Sequence, residues 1–142
     1  MNDEHPAMVV SRRSWSAVHR KAKEEWIALF AEDAVVEDPV GSSPLDPEGL
    51  GHRGKEAIKV FWDTNIAPNS VKLEIQKSYA AGQEAAHMGT ITTVLGDGSI
   101  VTVEGIFLYK VNKEGLLVSL RAFWDFEKAM ANITPPSGIA GS

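Results

Sequence analysis

Residues 71–126 constrain this chain most, because they hold strand-like runs divided by sharp turns. Over Val71 to Tyr79, the residues Val71, Leu73 and Ile75 alternate with polar neighbours in the period-2 manner of a strand. Ala85 to Leu95 is rich in threonine and β-branched residues, which fit a pleated surface. "GDG" at 96–98 is a tight-turn signal, and Ser99 to Val111 reads as one long strand. "NKEG" at 112–115 is the next turn, and Leu116 to Phe126 is the last strand. Short turns join antiparallel neighbours, so this half of the chain predicts a meander of long strands.

The first half has a different period. From Ser11 to Phe30, Trp15, Val18, Ala22, Trp26, Leu29 and Phe30 recur at three- and four-residue spacing, with charges between them. A break near Arg20 to Lys23 divides this stretch into two helices. A short strand, Ala34 to Glu37, follows. "GSSPLDPEGLGHRG" at 41–54 carries two prolines and four glycines and is a loop by composition. Lys55 to Asn65 is a further helix, with Ala57, Ile58, Phe61 and Trp62 on its apolar face. Helices first and a meander afterwards define an α+β domain. Long curved strands of this kind wrap around helices and leave a pocket suited to apolar ligands. The domain is expected over residues 11–128, with a flexible N-terminus at 1–10 and a flexible tail at 129–142, where "ITPPSGIAGS" has no periodicity.

Bulk properties exclude several functions. A chain of 142 residues suits one core. There is no cysteine, so no disulfide, thiol nucleophile or thiolate metal site is available. The net charge is −5 and the basic residues are scattered, which argues against a nucleic-acid partner. "MNDEHPAMVV" lacks the regions of a signal peptide, and no stretch is long and apolar enough to span a membrane. The expected location is cytoplasmic.

Three sets of residues offer chemistry. "AVVEDPVGSSP" at 34–44 places Glu37 and Asp38 at the end of an apolar strand. Neighbours on a strand point to opposite faces, so only one of the two can face inward. Alternation leaves open which one, and both can equally sit in water at a strand end. An inward carboxylate among apolar groups has its pKa raised by desolvation and can shuttle protons near neutral pH. The aromatics Trp15, Trp26, Phe30, Phe61, Trp62, Phe107, Tyr109, Phe123 and Trp124 are core residues, pocket walls or both. His5, His19, His52 and His87 lack metal-ligand spacing, so no metal and no cofactor is expected. His19 and His52 read most simply as surface residues. "GLGHRG" at 49–54 matches a glycine-rich phosphate loop only formally, since no βαβ unit surrounds it. Ser42 and Ser43 lack a partnered histidine and an elbow motif.

Three segments carry a family resemblance. "LFAEDAVVEDPVGSSP" resembles the block around the general base of the steroid Δ5-3-ketosteroid isomerases, in the SnoaL-like, NTF2-like superfamily. "GKEAIKVFWDTNI" resembles their third helix, and "VNKEGLLVSLRAFWDF" their last hairpin and strand. The resemblance covers roughly residues 11 to 126. It implies a cone of curved antiparallel sheet closed by N-terminal helices around a deep apolar pocket, paired as a homodimer through the outer sheet face. It implies that Asp38 faces inward and Glu37 outward. Asp38 would take a proton from C4 of a 3-oxo-Δ5-steroid and return it at C6.

The same comparison exposes a departure. Such isomerases hold the dienolate oxygen with a tyrosine and a protonated aspartic acid. The matching positions here are Ser14 and Phe107, and two supporting tyrosines are replaced by Phe30 and Trp62. Tyr109 lies two residues after Phe107, on the same strand face, and is the foremost substitute donor. Trp62, Trp124, Trp15 and Ser14 follow it. Ser14, Trp15, Phe30, Pro39, Trp62, Phe107, Leu120 and Trp124 are the expected substrate-binding residues. The alternative is a non-catalytic steroid or lipid carrier on the same fold. A third reading, epoxide hydrolysis or polyketide cyclisation, needs Arg121 in the cavity beside Asp38, whereas the pattern points Arg121 and Asp125 outward.

Overall fold

The structure is a computed structural model, and it describes residues 5–136. Eleven segments follow in order: α1 (Pro6–Arg20), α2 (Lys23–Ala28), β1 (Phe30–Glu37), β2 (His52–Arg53), α3 (Lys55–Phe61), a π-helical turn Trp62–Ile66 that continues α3, β3 (Ser70–Ala81), β4 (Glu84–Val94), β5 (Ile100–Val111), β6 (Leu117–Phe123) and α4 (Phe126–Ala131). The strands form one open six-stranded sheet in the order β2-β1-β6-β5-β4-β3. Strands β3 to β6 are the meander, all antiparallel. Strand β1 enters parallel to β6, with Val36 opposite Leu120 and Glu37 opposite Arg121.

The sheet bends across one line. Gly89 pairs with Gly105, and the register of β3 shifts beside Gly89, between Ile75 and Lys77. Glycines and bulges at matched positions let neighbouring strands fold toward one face. Gly105 has a further reason to lack a side chain, because a Cβ there would collide with the Phe123 carbonyl. Helices α1 and α2 pack into the resulting hollow. Trp26, Phe30, Ile58, Phe107 and Leu117 are almost wholly buried at the centre.

Among the described residues, both segments expected to be flexible contain regular structure. Helix α1 begins at Pro6, inside the segment 1–10 expected to be flexible. His5 caps it by accepting from the Ala7 amide at 3.1 Å, and Pro6 takes the first-turn position where its missing N–H costs nothing. Ala7 and Val10 are buried, so packing decides what periodicity could not. At the other end β6 stops at Phe123, short of the expected Phe126. Asp125 then caps α4, accepting from the Lys128 amide at 2.9 Å. Within the tail expected to be flexible, Ala129 is buried and Thr134 pairs with Ile100. Residues 137–142 of that tail lie outside the described residues.

In the first half, the break between the first helices falls at Lys21, inside the expected Arg20 to Lys23, and this residue takes a left-handed φ of 59°. Strand β1 starts at Phe30, four residues earlier than its apolar run suggests, and the glycine-rich loop includes the short strand β2. Among the described residues, no helix is long and apolar enough to cross a membrane.

Candidate active site

A cavity of about 330 Å³ lies between the concave sheet face and the helices, within the usual range for small-molecule sites. Its wall is almost wholly apolar, drawn from Val18, Val36, Phe61, Leu73, Val103, Phe107 and Leu120 among others. Asp38, Tyr109 and Trp124 line it together.

Strand alternation and one ion pair orient the two carboxylates. Arg121 Nε donates to Glu37 Oε2 at 2.9 Å, and the Arg121 guanidinium lies 5.1 Å from the Phe123 ring centroid. Leu120 and Ala122, the neighbours of Arg121, line the cavity. Glu37 and Arg121 therefore belong to the outer face and Asp38 to the inner one. That arrangement removes the arginine an Asp–Arg–Asp epoxide-hydrolase site would need. Asp125 is also occupied elsewhere, as the cap of α4.

Asp38 is half-buried, and desolvation pushes its pKa up. Two effects oppose that rise without cancelling it. Trp124 Nε1 donates to Asp38 Oδ1 at 2.6 Å, and the nearby His52 favours the charged carboxylate. The result is a fixed carboxyl group whose proton affinity exceeds that of a solvated aspartate.

Tyr109 faces the same cavity from β5. Its hydroxyl accepts from Trp15 Nε1 at 3.0 Å and lies close to the Ser14 hydroxyl. Burial holds the phenol well above its ordinary pKa, and the Asp38 charge adds to that. The group therefore stays protonated. It accepts from Trp15, and the Ser14 hydroxyl is its other polar neighbour.

Behind Tyr109 lies a polar cluster that the sequence did not reveal. His87 is fully buried on β4. Its Nδ1 lies 2.7 Å from Ser78 Oγ and its Nε2 2.9 Å from Ser11 Oγ. Ser11 donates its own proton to the Ala7 carbonyl at 2.6 Å, so it must accept from His87 Nε2. Burial disfavours the charged ring, so the imidazole is neutral near pH 7 and Nδ1 accepts from Ser78. Desolvation pushes its pKa down to about 4. The ring meets Trp15 edge-on at 4.7 Å and Tyr109 at 5.3 Å. A lone histidine in a strand carries no sequence signal for such a role.

Several expected wall residues sit elsewhere. Phe107, Leu120, Trp124 and Tyr109 line the cavity, as do Trp26 and Phe61. Trp15 instead packs on His87 and bonds Tyr109 from behind. Ser14 is buried and accepts from Trp26 Nε1 at 3.0 Å. Phe30 packs on Trp26 at 4.7 Å and Trp62 on Trp26 at 5.2 Å, both within the core. Pro39 is buried and joined to Asp38 by a cis peptide, but it does not form part of the wall. Nor is His52 a surface residue: it is half-buried, its ring lies 4.8 Å from Phe61, and its Nε2 is buried without a partner.

A bent open sheet closed by N-terminal helices around an apolar hollow defines an NTF2-like α+β domain. Within that class the chain belongs to the SnoaL-like domain family, whose model matches residues 11–120. It is 36% identical over 97 residues to a steroid Δ-isomerase of Nocardioides simplex, covering 68% of this chain and 72% of that one. The Δ5-3-ketosteroid isomerase of a Mycobacterium species superposes with a TM-score of 0.84 at 36% identity, covering 92% of this chain and 98% of that one. A Mycobacterium tuberculosis protein in complex with estradiol-17β-hemisuccinate also gives 0.84 at 36% identity, covering 87% and 97%.

Proposed function

We propose that the protein is a steroid Δ5-3-ketosteroid isomerase in which Asp38 shuttles the proton and Tyr109 holds the oxygen. The observation that carries this reading is the placement of Asp38 and Tyr109 on one apolar cavity. Asp38 removes a proton from C4 of a 3-oxo-Δ5-steroid, and the electron pair moves onto the C3 oxygen. Tyr109 donates a hydrogen bond to the developing oxyanion. Asp38 then returns the proton at C6, leaving the Δ4 double bond and no net change in atoms. A base of raised pKa suits both steps, since it must take a proton and give it back.

The oxyanion donor has changed walls in this reading. The family places a tyrosine on the first helix, where this chain has Ser14. Tyr109 reaches the same neighbourhood from the opposite wall, and its hydroxyl lies close to Ser14. The Trp15 N–H occupies only an acceptor position of the phenol oxygen, and in this reading the phenol proton turns to the ligand.

The test is turnover of 5-androstene-3,17-dione, followed by absorbance of the conjugated enone. Wild type should convert it. Asp38→Asn should bind steroid without turning it over, and Tyr109→Phe should lose about 10²–10³ in kcat. The absence of a wild-type rate above buffer overturns the isomerase reading. Tight steroid binding with no turnover then favours a carrier.

We also infer that a second copy of the chain covers the outer sheet face. Lys77, Met88, Ile106 and Phe123 follow one another across neighbouring strands there. Met88, Ile106 and Phe123 are 43%, 41% and 39% exposed, more than isolated apolar side chains in a monomer require. Sedimentation equilibrium should give a dimer for wild type and a monomer for Ile106→Lys. A monomeric wild type overturns this part.

A further inference from the structure

The cavity has polar groups at both ends. Asp38, Tyr109 and Trp124 mark one, while Asn65, Asn69 and Thr93 mark the other. The register separates them. Thr93 pairs with Val71 and Val101, near the start of β5, whereas Tyr109 lies eight residues further along that strand. The helix gives the same order. Phe61, Asn65 and Asn69 are spaced by four and all line the cavity. Phe61 touches His52, whose charge is felt by Asp38. The π-helical turn Trp62–Ile66 and the turn after it lead from Phe61 to Asn69, a span on the order of 10 Å. That length is comparable to a fused four-ring skeleton.

The hydrogen bonds of Asn65 fix which way its amide points. Its Nδ2 lies 3.3 Å from the Phe61 carbonyl and 3.0 Å from Thr64 Oγ1. Thr64 gives its own proton to the Val60 carbonyl at 2.9 Å, so towards Asn65 it is an acceptor. Swapping the amide would set Oδ1 against two acceptors. Both Asn65 N–H groups are therefore used, and Oδ1 has no donor among the described residues. Asn69 donates one Nδ2 hydrogen to the Asn65 carbonyl at 2.9 Å, and its second has no acceptor among the described residues. Thr93 has a hydroxyl, which can donate or accept and so serves either chemistry.

We propose that Asn65 supplies the acceptor at this remote end and favours ligands that carry a hydroxyl rather than an oxo group beside it. A hydroxyl donates to Asn65 Oδ1. A ketone oxygen faces it as a second acceptor, and neither group is then satisfied. The preferred ligands are thereby rigid apolar molecules with an oxo group at the reacting end and a hydroxyl at the far end, others binding less tightly. The proposal rests on the isomerase reading for the orientation of the ligand, with its oxo group toward Tyr109.

Equilibrium titration of tryptophan fluorescence with testosterone, androst-4-ene-3,17-dione and androst-4-en-3-one tests it. These share the 3-oxo end and carry at position 17 a hydroxyl, an oxo group and no oxygen. Wild type should bind testosterone roughly fivefold more tightly than either of the others, the worth of one ordinary hydrogen bond. In Asn65→Leu the preference should fall to about one. Binding of all three with equal affinity overturns the proposal and leaves the steroid reading standing. So does a preference that Asn65→Leu leaves unchanged. Binding of none of them overturns the steroid reading and this proposal with it. The comparison in wild type decides the question even if Asn65→Leu does not fold.

Discussion

Replacing His87 with glutamine should remove a specific acid sensitivity of the fold. His87 is neutral, fully buried, and hydrogen-bonded at both nitrogens. Its pKa falls from 6.5 to about 4 on folding, because burial penalises the charged ring. The unfolded chain therefore binds a proton that the folded chain refuses between these two values, and stability drops as pH falls through that window. Each pH unit fully inside the window costs about 1.4 kcal/mol, so the drop from pH 7 to pH 4.5 is about 2 kcal/mol. That is a large share of the stability of an ordinary domain. Groups facing the ring add no compensating charge: Ser11 and Trp15 on α1, Ser78 on β3 and Tyr109 on β5 are all neutral. Urea unfolding of wild type and His87→Gln, at half-unit steps from pH 7.5 to 4.5, isolates the effect. Glutamine can still donate to one serine and accept from the other, and its own packing cost appears as a constant offset. The difference between the two stability curves should narrow by about 2 kcal/mol as pH falls. Parallel curves between pH 6.5 and 4.5 would refute the reasoning.

Three further outcomes are expected. Asp38 has a raised pKa, so its carboxylate is disfavoured in the folded state and stability falls as pH rises through the interval between its unfolded and folded values. Asp38→Asn should consequently melt at a higher temperature than wild type at pH 7.5 while losing turnover; a lower melting temperature, by calorimetry, would count against the desolvation argument. Trp124→Phe removes the N–H that favours the Asp38 carboxylate, so the acidic limb of the kcat/KM profile should shift to higher pH, and a profile that shifts down contradicts the assignment. Gly105→Ala forces a Cβ against the Phe123 carbonyl and should cost about 1–3 kcal/mol in urea, with weaker steroid binding as Trp124 moves; wild-type stability would show that the bend tolerates a side chain.

The period of the apolar pattern was enough to predict the architecture. Alternation with "GDG" and "NKEG" located β3 to β6, and the three- and four-residue spacing located the helices. Their ends were less legible. Helix α1 begins at Pro6 because His5 caps it and Ala7 packs inward, neither of which is a periodic signal. The tail gains α4 from the Asp125 cap, eight residues before the sequence turns featureless at Ile133.

The site divided along the same line. Sequence resemblance singled out Asp38, and strand parity carried Tyr109 and Phe107 to one face together. Ser14, Trp15, Phe30 and Trp62 were placed on the cavity wall because the family has cavity residues there. Their larger or smaller side chains turn instead into core contacts and into the support behind Tyr109. His52 and His87 were invisible as functional neighbours, since a histidine's environment depends on what other strands bring beside it.

The sequence by itself determined the order of elements, which residues of a strand share a face, and the pair of carboxylates at the end of β1. Those properties are local, set by backbone periodicity and turn chemistry over a few residues. Only the tertiary structure decided that Trp124 holds Asp38, that Trp15 and Ser14 attend Tyr109, and that His87 lies between Ser11 and Ser78. Each of these depends on groups from separate elements meeting at hydrogen-bond distance, and on the bend at Gly89 and Gly105 that brings the sheet around them.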